Sequence, residues 1–398
     1  MRGRTARMEA IIIGALHHNT LGVVRSLGES NEIQVNIKVL LVGHGISDRN
    51  IITESRYVDR QDVFYVEHDT DIPDWLAGNA EGTMQERVVI CCSDGAAEQV
   101  VSNYDSLKQW YHLPSASFDI TKLMSKVTQD HIAVECGFNV PEWEVVKKGE
   151  ATEWSVFPCI TKPEKSVLGK GKADIHIAFS REELNDYLSE IEAEYVQIQE
   201  YLRKDFEYQL IGCSLKCGEL VIIPGFTRII RQPPNTNTGY LVLSPIENLE
   251  YDAGTVKRFL TTIGYSGLFS MEFIRDKNGR DYFLEINLRN DGNAYCVKSA
   301  GVNLPSIWCR YALLGEVPEA EKQIKKSVYF MPDFLDMKPG IKKEGFLGWI
   351  YQFATAKSHS LFNVKDMGPF IYELNRRLGS HMGRNNKKNY RNSNNGVK

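Results

Sequence analysis

The sequence predicts an α/β fold that opens with a Rossmann-like domain and continues into a strand-rich second part. Three observations carry this. Mostly apolar strands alternate with helical stretches over residues 8–115, the pattern of a parallel sheet covered on both faces. Further along, strands such as 206–214 alternate apolar and polar positions, as antiparallel strands do. The chain has 398 residues, 42% of them apolar and 25% charged. That length suggests two or three domains, with enough core to need no disulfide or metal staple.

The elements follow in order. Glu9–Gly14 is a buried strand ending in a glycine turn, and Leu21–Leu27 has helical spacing that ends at Gly28. Val35–Val42 and Arg87–Cys92 are further apolar strands. The second of these runs into Ser93-Asp94-Gly95 and a helix from Ala96. Gly14 and Gly22 do not make GxGxxG, so Gly14 is read as a tight turn rather than a dinucleotide site. Residues 121–137 read as one helix stopped by Gly137, with Pro141 beyond. Strands are expected at 157–163, 174–179 and 195–201, and Ser180 with Glu183 forms a capping box for the helix between the last two. Phe206–Ser214 and Leu220–Gly225 read as an antiparallel pair, with Cys213 and Cys217 on one strand face. A helix at Thr255–Ile263 precedes two strands, Leu268–Arg275 and Asp281–Asn287, joined by an Asp276–Gly279 turn. Helices follow at 304–314, 346–356 and 369–378. Residues 379–398 carry five basic residues, six Asn and no acid, and read as a disordered tail.

Composition excludes several classes. Lys plus Arg is 47 against 51 Asp plus Glu, a net charge of −4 that argues against a nucleic-acid binder. No apolar run reaches the roughly 18 residues of a membrane helix. The eight cysteines make no CxxC pair and no zinc spacing, so they read as free thiols of a reducing, cytoplasmic protein. The basic stretch MRGRTAR precedes too short an apolar run for a signal peptide, and Met8 is read as an alternative start.

Chemistry concentrates in three places. In Ser270-Met-Glu272 and Phe283-Leu-Glu285-Ile-Asn287-Leu-Arg289, residues two apart share a strand face, and a hairpin brings Glu272 beside the others. Two carboxylates and a carboxamide are hard ligands of the Mg²⁺ type, and the arginine adds charge for phosphate oxygens. The alternative is an exposed hairpin face. Lys162 ends an apolar strand before a loop holding Ser166, Gly169, Lys170, Gly171 and Lys172, which suits phosphate binding, although GxxxxGK[ST] is absent. Gln199-Glu200-Tyr201-Leu202 offers backbone groups to a purine edge, and Glu207 a carboxylate to ribose.

In this order the parts resemble the ATP-grasp superfamily over residues 8–315: Lys126 on a helix, Lys162 on a strand, Glu200 and Glu207 at a hinge, Glu272, then Glu285-Ile-Asn287-Leu-Arg289. The resemblance implies a preATP-grasp domain at 8–115 and a two-lobed ATP-grasp domain at 116–320, its small lobe about 145–202. A helical extension at 321–378 and the tail would follow. Residues 264–273 and 283–292, with Cys92-Ser-Asp-Gly95, look like carboxylate–amine ligases that include bacterial D-aspartate ligase and relatives associated with surface-polysaccharide biosynthesis. The stretch Asn290-Asp-Gly-Asn-Ala-Tyr295 departs from the D-aspartate ligase pattern.

The resemblance implies ATP-dependent acyl-phosphate formation followed by amine attack, in cell-surface polysaccharide or cell-wall biosynthesis. Lys126 and Lys162 would meet phosphates, with Ser166, Gly169, Glu200, Tyr201, Leu202 and Glu207 completing the nucleotide site. Glu272, Glu285 and Asn287 would hold Mg²⁺, as two ions, with Mn²⁺ as an alternative. Arg289 would stabilise the transferring group, and residues 166–172 would close as a lid. Arg228, Arg231 and Asn293 are candidates for substrate. Asn19 is read as a structural turn residue, adjacent His17 and His18 as diverging rather than metal-binding, and the 349–353 patch as core or interface. Partners are then a small carboxylate and an amine, with no nucleic acid and no integral membrane segment, and a homodimer left open. The competing readings are carboxyphosphate chemistry and a non-catalytic ATP-binding protein.

Overall fold

The computed structural model of the chain describes residues 8–80, 86–163, 175–232, 238–318 and 322–379. The expected lid with Ser166 and Gly169, and the tail from residue 380, lie outside them.

Three sheets make the frame. The first is parallel, in the order β3-β2-β1-β4, from β1 (Glu9–Gly14), β2 (Asn36–Val42), β3 (Val63–Val66) and β4 (Arg87–Cys91). Its central strand is apolar on both faces because both are covered: Ile11, Ile12 and Ile13 are all buried. A helix, His18–Gly28, leaves β1, and another, Asp94–Ser102, leaves β4 with the Ser93 hydroxyl accepting from the Ala96 amide.

The second sheet is small and antiparallel, ordered β5-β8-β6-β7 from β5 (Trp143–Lys147), β6 (Cys159–Pro163), β7 (His176–Ala178) and β8 (Tyr195–Glu200). Helix Arg181–Glu190 covers it. Ser180 caps that helix, while the Glu183 carboxylate accepts from the Phe179 amide at 2.7 Å, one residue outside the expected capping-box partner.

The third sheet has eight strands: β9 (Lys204–Leu215), β10 (Leu220–Ile222), β11 (Gly225–Arg231), β12 (Tyr240–Pro245), β13 (Gly267–Asp276), β14 (Asp281–Asn287), β15 (Val328–Met331) and β16 (Ser358–His359). Their order is β14-β13-β9-β11-β12-β15-β16, with β10 on β9. One face of the first sheet shares a core with Met271, Phe273 and Phe283 of the third; the opposite face clusters with Ile211, Cys213 and Trp308. The second sheet keeps its own core around Trp154, Leu184 and Ile198.

Several expectations are corrected. The single helix at 121–137 is two, Ile120–Leu123 and Lys126–Cys136, the second closed by Gly137 in the left-handed region. Cys217 shares no strand face with Cys213, because it sits in the turn after β9 with φ +54°. The 321–378 stretch is not purely helical, since it adds β15 and β16 to the third sheet. Its first helix begins earlier, at Met337, and breaks at Gly345, where φ is +74°. In the 349–353 patch, Trp349 donates to Asp336 and Phe353 packs on Phe362, whereas Tyr351, like Phe346 and Leu347 just before the patch, is exposed.

Candidate active site

Strand register places the acidic groups. Ser270 pairs with Asn287 and Glu272 with Glu285 across β13 and β14, and Gln209 of β9 stands opposite Glu272 on the other side. Alternation therefore gathers these side chains on one face. A register shift after Glu272 brings Phe273 opposite Phe283, and both join an aromatic cluster with Phe138 and Phe259 on the far side.

The helix Lys126–Cys136 is fastened to β14 by Gln129. Its carboxamide accepts from the Ile286 amide at 2.9 Å and donates to the Ile286 carbonyl at 3.2 Å. That clamp sets Lys126 Nζ 3.1 Å from Glu285 Oε2. One helical turn on, buried Asp130 accepts from Gln197 Nε2 at 3.2 Å. Gln197 is the cross-strand partner of Lys162, whose Nζ donates to Gln199 Oε1 at 2.8 Å. The two lysines thus reach one site from different elements, one from a helix on the third sheet and one from the second sheet.

Burial and neighbours shape the charges. Burial, with Lys126 close by, pushes the Lys162 ammonium down to about 8. Burial raises Asp130 to about 6 against the pull of Lys162. Burial, then Glu285 and Asp291, push Glu272 up to about 8. Burial acts the same way on Glu285, but Lys126, Arg289 and Lys162 outweigh it and hold that carboxyl below its ordinary value. Glu285 in turn keeps Lys126 above the usual lysine value.

Arg289 leaves β14 and ties the site to the first sheet. It donates to Asn287 Oδ1 at 3.0 Å, to Asp94 Oδ1 at 3.0 Å and to Asp291 Oδ2 at 3.3 Å. Asp291 also accepts from Gln209 at 2.8 Å and Ser270 at 3.1 Å. Asn293 donates to Gln209 at 3.3 Å, while its own Oδ1 and the Nδ2 of Asn287 are buried without a protein partner. Asn19 is a structural staple, donating to the carbonyls of Cys92 and Asn290, each at 2.8 Å. The His17 and His18 rings meet at a tilt of 42°, 3.9 Å between centroids, and burial lowers both below the ordinary histidine value.

Glu200, Tyr201 and Leu202 lie half-buried where β8 ends. The Glu200 amide donates to the Glu142 carbonyl and the Tyr201 amide to that of Pro158. Glu207 shares the Gln209 face of β9 and pairs with Lys204 at 2.8 Å. Two expected substrate residues are not brought in. Arg228 alternates with Thr227, which faces Gln209, so it lies over the Phe206 ring on the other face. Arg231 is buried against Asp336, with 2.6 and 2.8 Å contacts, and also bonds Glu344 and Gln352.

Sequence reading missed Asp130, Gln197, Gln209, Asp94 and Asp291 as site members. Asp130 follows Lys126 by four on a helix, and Gln209 follows Glu207 by two on a strand, so both were open to periodicity. Glu272, Glu285 and Asn287 fit a divalent ion. Two facing carboxylates, both partly buried, are held against mutual repulsion, and among the described residues Glu272 accepts a single hydrogen bond, 3.4 Å from Gln209.

No protein-family model and no curated protein matches the chain. Solved structures do. A biotin carboxylase from Campylobacter jejuni in complex with β,γ-ATP superposes at TM-score 0.62 with 15% identity, over 84% of this chain and 78% of that one. N5-carboxyaminoimidazole synthetase from Staphylococcus aureus gives 0.60 and 16%, over 86% and 88%. The chain has the ATP-grasp fold. An L-amino acid ligase from Bacillus licheniformis shares this ATP-grasp fold at 0.57 and 14% identity, over 82% and 80%. Among the described residues, no helix is long and apolar enough to cross a membrane.

Proposed function

We propose that the chain is an ADP-forming carboxylate–amine ligase. The observation that carries this is the convergence of Lys126, Lys162, Glu272, Glu285, Asn287 and Arg289 between the lobes and the first sheet. Lys126 and Lys162 would exchange Glu285 and Gln199 for the α- and β-phosphates of ATP, their charges offsetting the polyanion. The Glu200 and Tyr201 amides are already paired, so the purine edge falls to Leu202, and Glu207 to the ribose. Glu272, Glu285 and Asn287 would hold Mg²⁺, as two ions, and the metal would supply charge neutralisation for the phosphates.

The substrate carboxylate attacks the γ-phosphorus, breaking the bond to the β-γ bridging oxygen, and ADP leaves. An amine then attacks the acyl carbon. Phosphate departs, the nitrogen loses its proton, and an amide remains. No protein nucleophile is needed. Arg289, pre-oriented by Asp94 and Asp291, stabilises the charge that develops on the acyl oxygens. Asn293 stands close enough to Gln209 to orient substrate through its free carbonyl oxygen. We place the acceptor in cell-surface polysaccharide or cell-wall building, on the resemblance of residues 264–273 and 283–292. Eight free cysteines suit a reducing, cytoplasmic setting.

The test is ADP release with MgATP, a panel of carboxylates and a panel of amines. Release that needs both co-substrates and is lost in Glu285→Ala supports the ligase. ATP binding without ADP release across the panel would identify a nucleotide-binding module instead.

A further inference from the structure

A second group of metal-type donors lies on the first sheet, apart from Glu272 and Glu285. β2 and β3 run parallel with Val42 opposite Val66, and the Gly43 amide carries the ladder one step further by donating to the Val66 carbonyl at 3.0 Å. His44 and His68 each stand two residues past that pair. Both lie just beyond the strand ends, His44 in a turn and His68 in a bend. Their rings meet edge to face, 4.7 Å between centroids. Glu67 Oε2 is 3.5 Å from His44 Nδ1, and one ligand atom from each of the three residues lies within 4.8 Å of the others.

We propose that His44, Glu67 and His68 bind a late first-row divalent ion such as Zn²⁺, Co²⁺ or Ni²⁺, at a site distinct from the nucleotide's Mg²⁺. Two imidazoles and a carboxylate are the donor set of these ions, whereas Mg²⁺ takes oxygen. Bonds of about 2.0–2.1 Å in a tetrahedron separate donors by roughly 3.4 Å. The His44–Glu67 pair already has that spacing, and side-chain rotation closes the rest. An ordinary surface ion pair between His44 and Glu67, 65% and 71% exposed, would contribute little and gives His68 no part. The site occupies the C-terminal edge of the parallel sheet, the same edge from which Asp94 reaches Arg289. One coordination position remains for water or an anionic ligand.

The test uses the untagged full chain, freed of metal by EDTA dialysis and without nucleotide. Co²⁺ is titrated and followed by its visible absorption, and Zn²⁺ by calorimetry. One ion per chain is expected, undisturbed by excess Mg²⁺. His44→Ala and His68→Ala should each weaken it by at least about 10–100-fold, the loss known for mere outer-shell partners. The melting curve of His44→Ala should match the wild type because that side chain is exposed, and His68→Ala should lose no more than the roughly 1 kcal/mol of a helix cap. Wild-type affinity no greater than that of the His44→Ala/His68→Ala double variant would overturn the assignment.

Discussion

Replacing Glu272 by Gln removes a partly buried ionisable carboxyl while keeping the side chain's shape. In the metal-free protein, burial and the neighbouring Glu285 and Asp291 carboxylates raise Glu272 from an ordinary 4.5 to about 8. The folded state therefore holds a proton that the unfolded chain gives up. The sign follows: the stability is complete below about pH 4.5 and is lost as pH rises towards 8. From 4.5 to pH 7, at about 1.4 kcal/mol per pH unit, the loss approaches 3 kcal/mol, an upper figure because the side chain is only partly buried and solvent screens it. The carboxamide of the variant has no such proton to lose. In EDTA, Glu272→Gln should melt with the wild type near pH 4.5 and several degrees above it at pH 7–8. Mg²⁺ with ADP should close the gap by stabilising the wild type alone, and the variant should release no ADP. Calorimetric melting at three pH values, with and without Mg²⁺, reads all of this. A variant that melts at or below the wild type in EDTA at pH 8 would refute the reasoning, as would one that keeps its turnover.

Three further outcomes are expected. Because the Lys162 ammonium titrates near 8, ATP affinity by calorimetry should fall as pH rises through that value; Lys162→Arg should lose this dependence without recovering full affinity, since a planar fork replaces a compact charge. Arg289→Met should cut kcat by about a hundred- to a thousand-fold with little change in the KM for ATP, the pattern of a lost oxyanion contact, whereas a normal kcat with a lowered Tm would make Arg289 structural. Arg231→Met should strand the buried Asp336 carboxylate and cost about 3–5 kcal/mol in stability, with kinetic constants per folded molecule unchanged; a raised KM for the carboxylate at unchanged Tm would return Arg231 to the substrate site.

What the sequence made legible was local. The Glu285, Asn287 and Arg289 spacing is a strand period, and Gly279 at φ +81° closes the hairpin that sets Glu272 beside them. Lys162 was visible as the charged end of an apolar strand. Its partners were not, because Gln197 and Gln199 meet it only through the register of β6 on β8. Arg231 looked like a ligand because nothing nearby in sequence reveals Asp336 as its partner. β11 and β12 went unread as strands because Arg228 and Arg231 break the apolar pattern of the first and a Pro/Asn-rich loop separates it from the second. β3 was too short to register, and with it the neighbourhood of His44 and His68.

The central claim is that a carboxylate is activated as an acyl phosphate in the site built around Lys126, Lys162, Glu285 and Arg289. Hydroxylamine traps acyl phosphates as hydroxamates whatever the natural amine, so the direct measurement is hydroxamate formed from MgATP and a broad carboxylate panel. The account predicts hydroxamate and ADP in equal amounts for at least one carboxylate, both lost in Arg289→Met and Glu285→Ala. ADP formed without hydroxamate, or ATP bound with neither product across the panel, would contradict it.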